Sequence, residues 1–104
     1  SLADVSPSMA NMESYFTKEI GLSKSEIDMN DPELSTYIDK FIALELEYSN
    51  LLDALNKNTR NEKVISAMIN NYKLRLKILE SIKRHIDIKN TIKSKSNEKD
   101  NNQA

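Results

Sequence analysis

The feature of this sequence that most constrains its fold is the spacing of apolar side chains between residues 34 and 55. They recur in alternating steps of three and four residues over three heptads, the pattern of a helix that packs along another helix. The seam consists of Leu34, Tyr37, Phe41, Leu44, Tyr48, Leu51 and Leu55. A long helix over this stretch is therefore predicted.

Proline directly after a capping side chain marks two helix starts, because proline fits the first helical position without losing a hydrogen bond. Ser6-Pro7 and Asp31-Pro32 have this form, and they predict helices over residues 7–20 and 32–56. Gly21 is predicted to end the first helix in a left-handed conformation. Residues 22–30 are expected to be a polar linker that can hold a short helical turn.

A third helix is predicted over residues 61–92, capped by Asn61 or Thr59. Its apolar residues again follow helical spacing: Val64, Ile65, Met68, Ile69, Tyr72, Leu76, Leu79 and Ile82. Residues 93–104 have no apolar side chain before the last position, so a frayed or disordered tail is expected there.

Composition supports an all-α fold, since one Gly and two Pro are too few turn residues for a β protein of 104 residues. We expect one domain over residues 1–92, an antiparallel helical hairpin plus a shorter N-terminal helix, in a three-helix arrangement with coiled-coil-like packing. Residues 26–53 carry eight acidic side chains and one lysine, whereas residues 73–95 carry eight basic and two acidic ones. An antiparallel hairpin would bring these opposite charges together.

No catalytic, cofactor-binding or metal-binding residue is predicted. The chain has no Cys, and its one His, His85, lacks a second ligand or a nucleophile to pair with, so we expect a surface histidine. Asp28 and Asn30 resemble the opening of a calcium loop, but the required Gly and bidentate Glu are missing. Glu45 and Glu47 lie on different faces of a helix and are expected to be solvated charges.

The basic side chains of the third helix raise the possibility of binding to phosphate groups. Against nucleic acid stand the net charge of −1 and the lack of interleaved exposed aromatic residues. A solvated face, partly matched by acidic residues of the second helix, is the favoured interpretation. The residues of this run are Lys73, Arg75, Lys77, Lys83, Arg84, Lys89, Lys93 and Lys95.

Several stretches of the chain are distinctive in combination. They are LADVSPSM at residues 2–9, MESYF at 12–16, LEYSNL at 46–51 and, most specifically, NEKVISAMINNYKLRLKILE at 61–80. Together they resemble a family of bacterial anti-sigma-factor-like membrane proteins. The resemblance covers the chain to about residue 86. One departure is that Gly21 and residues 22–30 interrupt what is a longer first helix in the family.

The resemblance implies a short cytoplasmic part, one membrane helix ending near residue 1, and this chain as a C-terminal helical domain on the periplasmic side. It supplies no catalytic residue. We therefore expect a non-catalytic sensing or interaction domain that forms a homodimer through the helix-two and helix-three seams, with the sigma factor bound only by the cytoplasmic part. Two alternatives stay open, a structural dimerisation stalk and a cytoplasmic helical adaptor that binds protein or nucleic acid.

Overall fold

The computed structural model describes residues 7–58 and 60–102, and these residues form three α-helices without a β-strand among them. Helix α1 is Pro7–Ser25, α2 is Ser35–Lys57, and α3 is Glu62–Asn102. A 3-10 turn, Pro32–Leu34, leads directly into α2. The predicted all-α fold with three helices is confirmed.

The helices run up, down and up. Phe16 of α1 lies beside Tyr72 of α3, and Ser23 further along α1 contacts Lys83 further along α3, so these two helices are parallel. Helix α2 is antiparallel to α3, since its end meets the start of α3 around Leu55. The predicted antiparallel hairpin is therefore present, and α1 packs along it.

The core consists of two apolar clusters. The smaller one lies beside the hairpin turn and joins Leu55 of α2 to Ile65 and Met68 of α3, with Met9 of α1 packed against it. The larger cluster occupies the other end and combines all three helices with the α1–α2 connection. Its buried members are Ile20, Ile27, Leu34, Ile38, Phe41, Tyr72, Leu79 and Ile82.

Polar side chains fix two helix starts as the sequence predicts. The Asp31 carboxylate accepts a hydrogen bond of 2.9 Å from the backbone N–H of Glu33. The Asn61 side chain accepts one of 3.2 Å from the N–H of Val64. The other predicted capping residues, Ser6 and Thr59, lie outside the described residues.

The prediction that Gly21 ends the first helix is wrong, because α1 continues through it to Ser25 and no described glycine has a positive φ. The extra turn carries Lys24 to Glu45 of α2, with 3.5 Å between Nζ and Oε2, and to within 5.2 Å of the Phe41 ring centroid. These contacts offset the roughly 1 kcal/mol that glycine costs inside a helix.

The connection between α1 and α2 is more ordered than a polar linker requires. Ile27 is only 8% exposed and belongs to the larger core cluster. The Asp28 carboxylate accepts a hydrogen bond of 3.0 Å from the backbone N–H of Asn30, which closes a tight turn. The side chains that resemble a calcium loop thus hold the backbone here.

The prediction that helix three ends near residue 92 also differs from the structure, where α3 extends to Asn102. Residues 87–98 are exposed on every side. Each residue added to an existing helix gains its own backbone hydrogen bond, and this stretch contains no Gly or Pro to stop it. We call residues 87–102 the overhang.

Opposite charges meet where the hairpin places them. Lys83 of α3 lies 2.9 Å from the Glu26 carboxylate, and Lys89 forms an ion pair with Glu33 at the start of α2. The hydrogen bond with Glu33 raises the pKa of Lys89. All four side chains are substantially solvated, so these pairs set orientation more than stability.

Candidate functional site

One face of the α2–α3 hairpin is covered by α1, and an aromatic layer joins the three helices there. This layer consists of Phe16, Tyr48 and Tyr72. The rings of Phe16 and Tyr72 are stacked at 5.5 Å, and those of Tyr48 and Tyr72 are 4.8 Å apart. The Tyr72 hydroxyl donates to the Tyr48 hydroxyl at 2.6 Å, and the latter donates to Glu13 at 3.2 Å.

Two polar residues of α3 are buried beside this layer. Asn71 is 0% exposed and donates a 2.8 Å hydrogen bond to the backbone carbonyl of Leu44 in α2. The Nε of Arg75, which is 7% exposed, donates to the Asn71 side-chain oxygen at 2.8 Å. Arg75 Cζ lies 5.0 Å from the Tyr48 ring centroid and 4.8 Å from that of Tyr72.

The surroundings of Tyr48 in the aromatic layer favour its neutral form. Burial raises the pKa of Tyr48, and the hydrogen bond from Tyr72 raises it further. The guanidinium of Arg75 has no carboxylate within ion-pair distance among the described residues, and its Nη2 atom is buried without a hydrogen-bond partner there. Attraction to the two ring faces and the hydrogen bond to Asn71 therefore offset part of the cost of burying this charge.

The other face of the hairpin carries a groove that is lined by α2 and α3 alone. Its volume is about 600 Å³. The apolar part of the lining consists of Tyr37, Ala43, Leu44, Leu74 and Ile78. We call this feature the open groove.

Charged side chains border the open groove on both helices. Lys40 and Glu47 come from α2, and Lys77 and Arg84 come from α3. All four are exposed, and none forms an ion pair with another described residue. Arg84 donates a 3.1 Å hydrogen bond to the hydroxyl of Ser81, which holds its side chain near the groove. The border thus has three positive charges and one negative charge.

The structure buries eight of the residues predicted to form the core or an interface and leaves the other seven partly exposed. The buried ones are Leu34, Phe41, Leu55, Ile65, Met68, Tyr72, Leu79 and Ile82. The partly exposed ones are Tyr37, Leu44, Tyr48, Leu51, Val64, Ile69 and Leu76. Of the second set, Tyr37 and Leu44 lie at the open groove.

The predicted basic run does not form one surface. Arg75 is buried, Lys83 and Lys89 are paired with acidic residues, and only Lys77 and Arg84 border the open groove. The helical rotation between these positions distributes them around α3. The exposed members of the run agree with the expected solvated face that acidic residues partly match, since Lys89 is paired with Glu33, whereas the buried Arg75 departs from it.

The other candidate sites do not line the open groove. His85 is exposed, with its ring 6.2 Å from the Tyr37 ring, as expected for a surface histidine. Within residues 7–58 and 60–102, no group of three or more His, Cys, Asp or Glu side chains is placed to hold a metal ion. None of the helices described is both long enough and apolar enough to cross a membrane.

Sequence reasoning missed the residues that make the site distinctive. Leu74 and Ile78 line the open groove although neither belongs to the predicted seam. The burial of Asn71 and Arg75 was not predicted either. The sequence does contain one signal for them: Leu74 and Ile78 are both apolar and lie four residues apart, so they form a second apolar stripe beside the seam.

Comparison of the chain with protein-family models, with curated proteins and with solved structures finds no match.

Proposed function

We propose that this chain is a non-catalytic interaction and sensing domain that acts through helix packing and self-association. The resemblance in residues 61–80 extends this proposal to a membrane-bound regulator of the anti-sigma-factor type. In such a protein, a membrane helix precedes residue 1 and this domain lies on the periplasmic side. A cytoplasmic part restrains the sigma factor and thereby regulates transcription.

The observation that carries the interaction role is the open groove. Helix α1 covers one side of the hairpin, and the other side leaves apolar Leu74 and Ile78 at a concave surface, where contiguous apolar groups mark interaction sites. Leu74 is 39% exposed. A concave apolar surface with a charged border is the form in which proteins receive a partner helix.

Self-association requires surfaces outside the predicted seams, because α2 and α3 use those seams within one chain. Apolar side chains remain exposed elsewhere on the helices, and they are the surfaces we propose for it. They are Met12, Tyr15, Leu22, Ile42, Leu46, Ile88 and Ile92. Sedimentation equilibrium at micromolar concentration should show a dimer, and a strictly monomeric chain would refute this part of the proposal.

The location is tested by labelling a single cysteine in the full-length protein in cells. Residues 1–104 contain no Cys and Ser96 is exposed on the overhang, so Ser96→Cys introduces one reactive site within this domain, and any cysteine elsewhere in the protein is replaced first. We expect an impermeant thiol reagent to label it in intact spheroplasts. Labelling only after lysis would place the domain in the cytoplasm and favour the adaptor interpretation.

A structural stalk is the second candidate, and the overhang favours it. Residues 90–102 continue α3 past the ion pair of Lys89 with Glu33, and residues 90–98 are exposed on every side. At about 1.5 Å per residue, residues 90–102 add roughly 20 Å of helix that could separate two parts of a protein. Replacing the domain by an unrelated hairpin of the same oligomeric state separates the two, since a stalk tolerates this exchange and a sensor does not.

A further inference from the structure

We propose that the open groove binds an acidic amphipathic helix from another protein. This inference rests on the proposed interaction role and names the chemistry of the partner. The floor of the groove supplies an apolar strip from Leu44, Leu74 and Ile78. The border supplies the charges that select what lies on that strip.

Charge complementarity identifies the partner as acidic. Lys40, Lys77 and Arg84 face the border from both helices, against the single carboxylate of Glu47. Their charges are available, because none of them forms an ion pair with another described residue. Lys83 and Lys89, by contrast, are paired with Glu26 and Glu33 and lie outside the groove. A helix with carboxylates on both flanks of its apolar stripe matches this arrangement.

A second copy of this chain is a poorer occupant. Placing two open grooves face to face would bring two net-positive borders together, and like charges across an interface disfavour association. The exposed apolar residues Ile42 and Leu46 lie outside the groove lining, so self-association does not require this surface. The two kinds of contact can therefore occur on one molecule.

The dimensions of the groove set the length of the partner segment. Its lining runs from Tyr37 to Glu47 on α2 and from Leu74 to Arg84 on α3. Ten helical steps correspond to about 15 Å, so two to three turns of a partner helix cover the strip. Apolar residues of the partner at positions i, i+3 or i+4, and i+7 would face the floor.

The test uses two synthetic peptides of about 15 residues, long enough for roughly four helical turns. Both carry the same apolar stripe of Leu and Ile, flanked by Glu in one and by Lys in the other. Fluorescence anisotropy on the whole chain should show that the Glu peptide binds roughly ten-fold more tightly than the Lys peptide, with the preference weakening as salt increases.

A double variant, Lys77→Glu with Arg84→Glu, should reverse this preference. The matched control is Lys18→Glu with Lys63→Glu, which makes the same change of charge at exposed positions outside the groove. The control should keep the original preference. Circular dichroism should show that both double variants remain helical and unfold on heating, because all four replaced side chains are exposed.

Two results would overturn the inference. One is equal binding of both peptides, or binding of neither, by a folded protein. The other is that Lys77→Glu with Arg84→Glu changes the sedimentation of the chain from dimer to monomer, which would make a second copy the occupant. Failure of peptide binding with an intact dimer would leave the proposed self-association standing, so the two proposals fail separately.

Discussion

The two faces of the α2–α3 hairpin are built from the same kinds of residue but differ in what covers them. On the face covered by α1, Phe41 and Tyr72 are buried, and polar groups are joined into one network. On the uncovered face, Leu74 stays 39% exposed and the neighbouring charges have no ion-pair partner among the described residues. The first face holds the fold, and the second is available for binding.

The largest expected effect is on the covered face. Phe41→Ala removes a side chain that is 0% exposed and leaves a cavity in the larger core cluster, which all three helices share. We expect the free energy of unfolding to fall by about 3–5 kcal/mol. Urea denaturation measures this, and a loss below about 1 kcal/mol would show that α1 does not close this face.

Asn71→Ala should have a smaller effect than Phe41→Ala. The substitution leaves the Nε of Arg75 without its hydrogen-bond acceptor in a buried position. An unsatisfied buried polar group costs about 1–3 kcal/mol, so a loss of that size in urea denaturation is expected. Asn70→Ala is the matched control, since Asn70 is exposed on the same helix and should change stability little.

Tyr48→Phe should alter how stability depends on pH. Because the pKa of Tyr48 is raised in the folded state, its neutral form stabilises the fold below the unfolded pKa of about 10, and this contribution is lost as pH rises above that value. The free energy of unfolding, measured at pH 8 and at pH 11, should therefore decrease less between these values for the variant than for the wild type.

Tyr15→Phe provides the control for that experiment, because Tyr15 is 60% exposed. It should keep the wild-type decrease between the two pH values. At pH 8 we expect Tyr48→Phe itself to cost about 1–2 kcal/mol, because it removes the hydrogen bond to Glu13 and the acceptor of the Tyr72 hydroxyl. An equal decrease in the free energy of unfolding for all three proteins would contradict a raised pKa of Tyr48 in the folded state.

Leu74→Ala tests the uncovered face. Its side chain is partly solvated already, so we expect a loss of about 1 kcal/mol or less, against about 2–5 kcal/mol for Leu79→Ala, where the side chain is 0% exposed. The same Leu74 variant should nevertheless weaken binding of the acidic peptide. A large stability loss with unchanged binding would reverse the roles of the two faces.

Gly21→Ala has the smallest expected effect, and it should stabilise α1, the helix that covers the first face. Gly21 lies inside α1 without a positive φ, and a Cβ built there meets nothing within 4 Å. Alanine should therefore raise the free energy of unfolding by about 0.5–1 kcal/mol. Thermal unfolding by circular dichroism measures this, and destabilisation would indicate that the helix ends at this glycine.

Periodicity predicted the helices and the hairpin because burial on one side of a helix repeats along the chain. It placed Leu34, Phe41 and Leu79 in the core, where they are at most 1% exposed. It could not place Ile27, since one apolar residue among polar neighbours has no period. The end of α1 was missed because glycine permits a helix end but does not impose one.

The candidate site was much less predictable than the fold. A pattern of apolar residues shows which side of a helix faces inward, but it does not show which flank a third helix leaves uncovered. The open groove depends on where α1 lies, and that position depends on the contacts of Phe16 and Lys24. Burial of Arg75 depends on two tyrosine rings from different helices, which no local spacing reveals.

Buried Arg75 also determines which alignment of the hairpin is stable. A seam that repeats every seven residues looks alike after a slip of one heptad, so apolar contacts alone distinguish such alignments weakly. A slip in one direction would move the guanidinium from the level of Tyr48 to that of Leu55, which is 1% exposed and offers no ring. A slip in the other direction would move it to the level of Phe41, where Lys24 Nζ already lies 5.2 Å from the ring centroid, so two cations would meet at one ring. Either slip therefore costs the buried guanidinium part of its stabilisation, and the position of this one charge favours the observed alignment of the two helices.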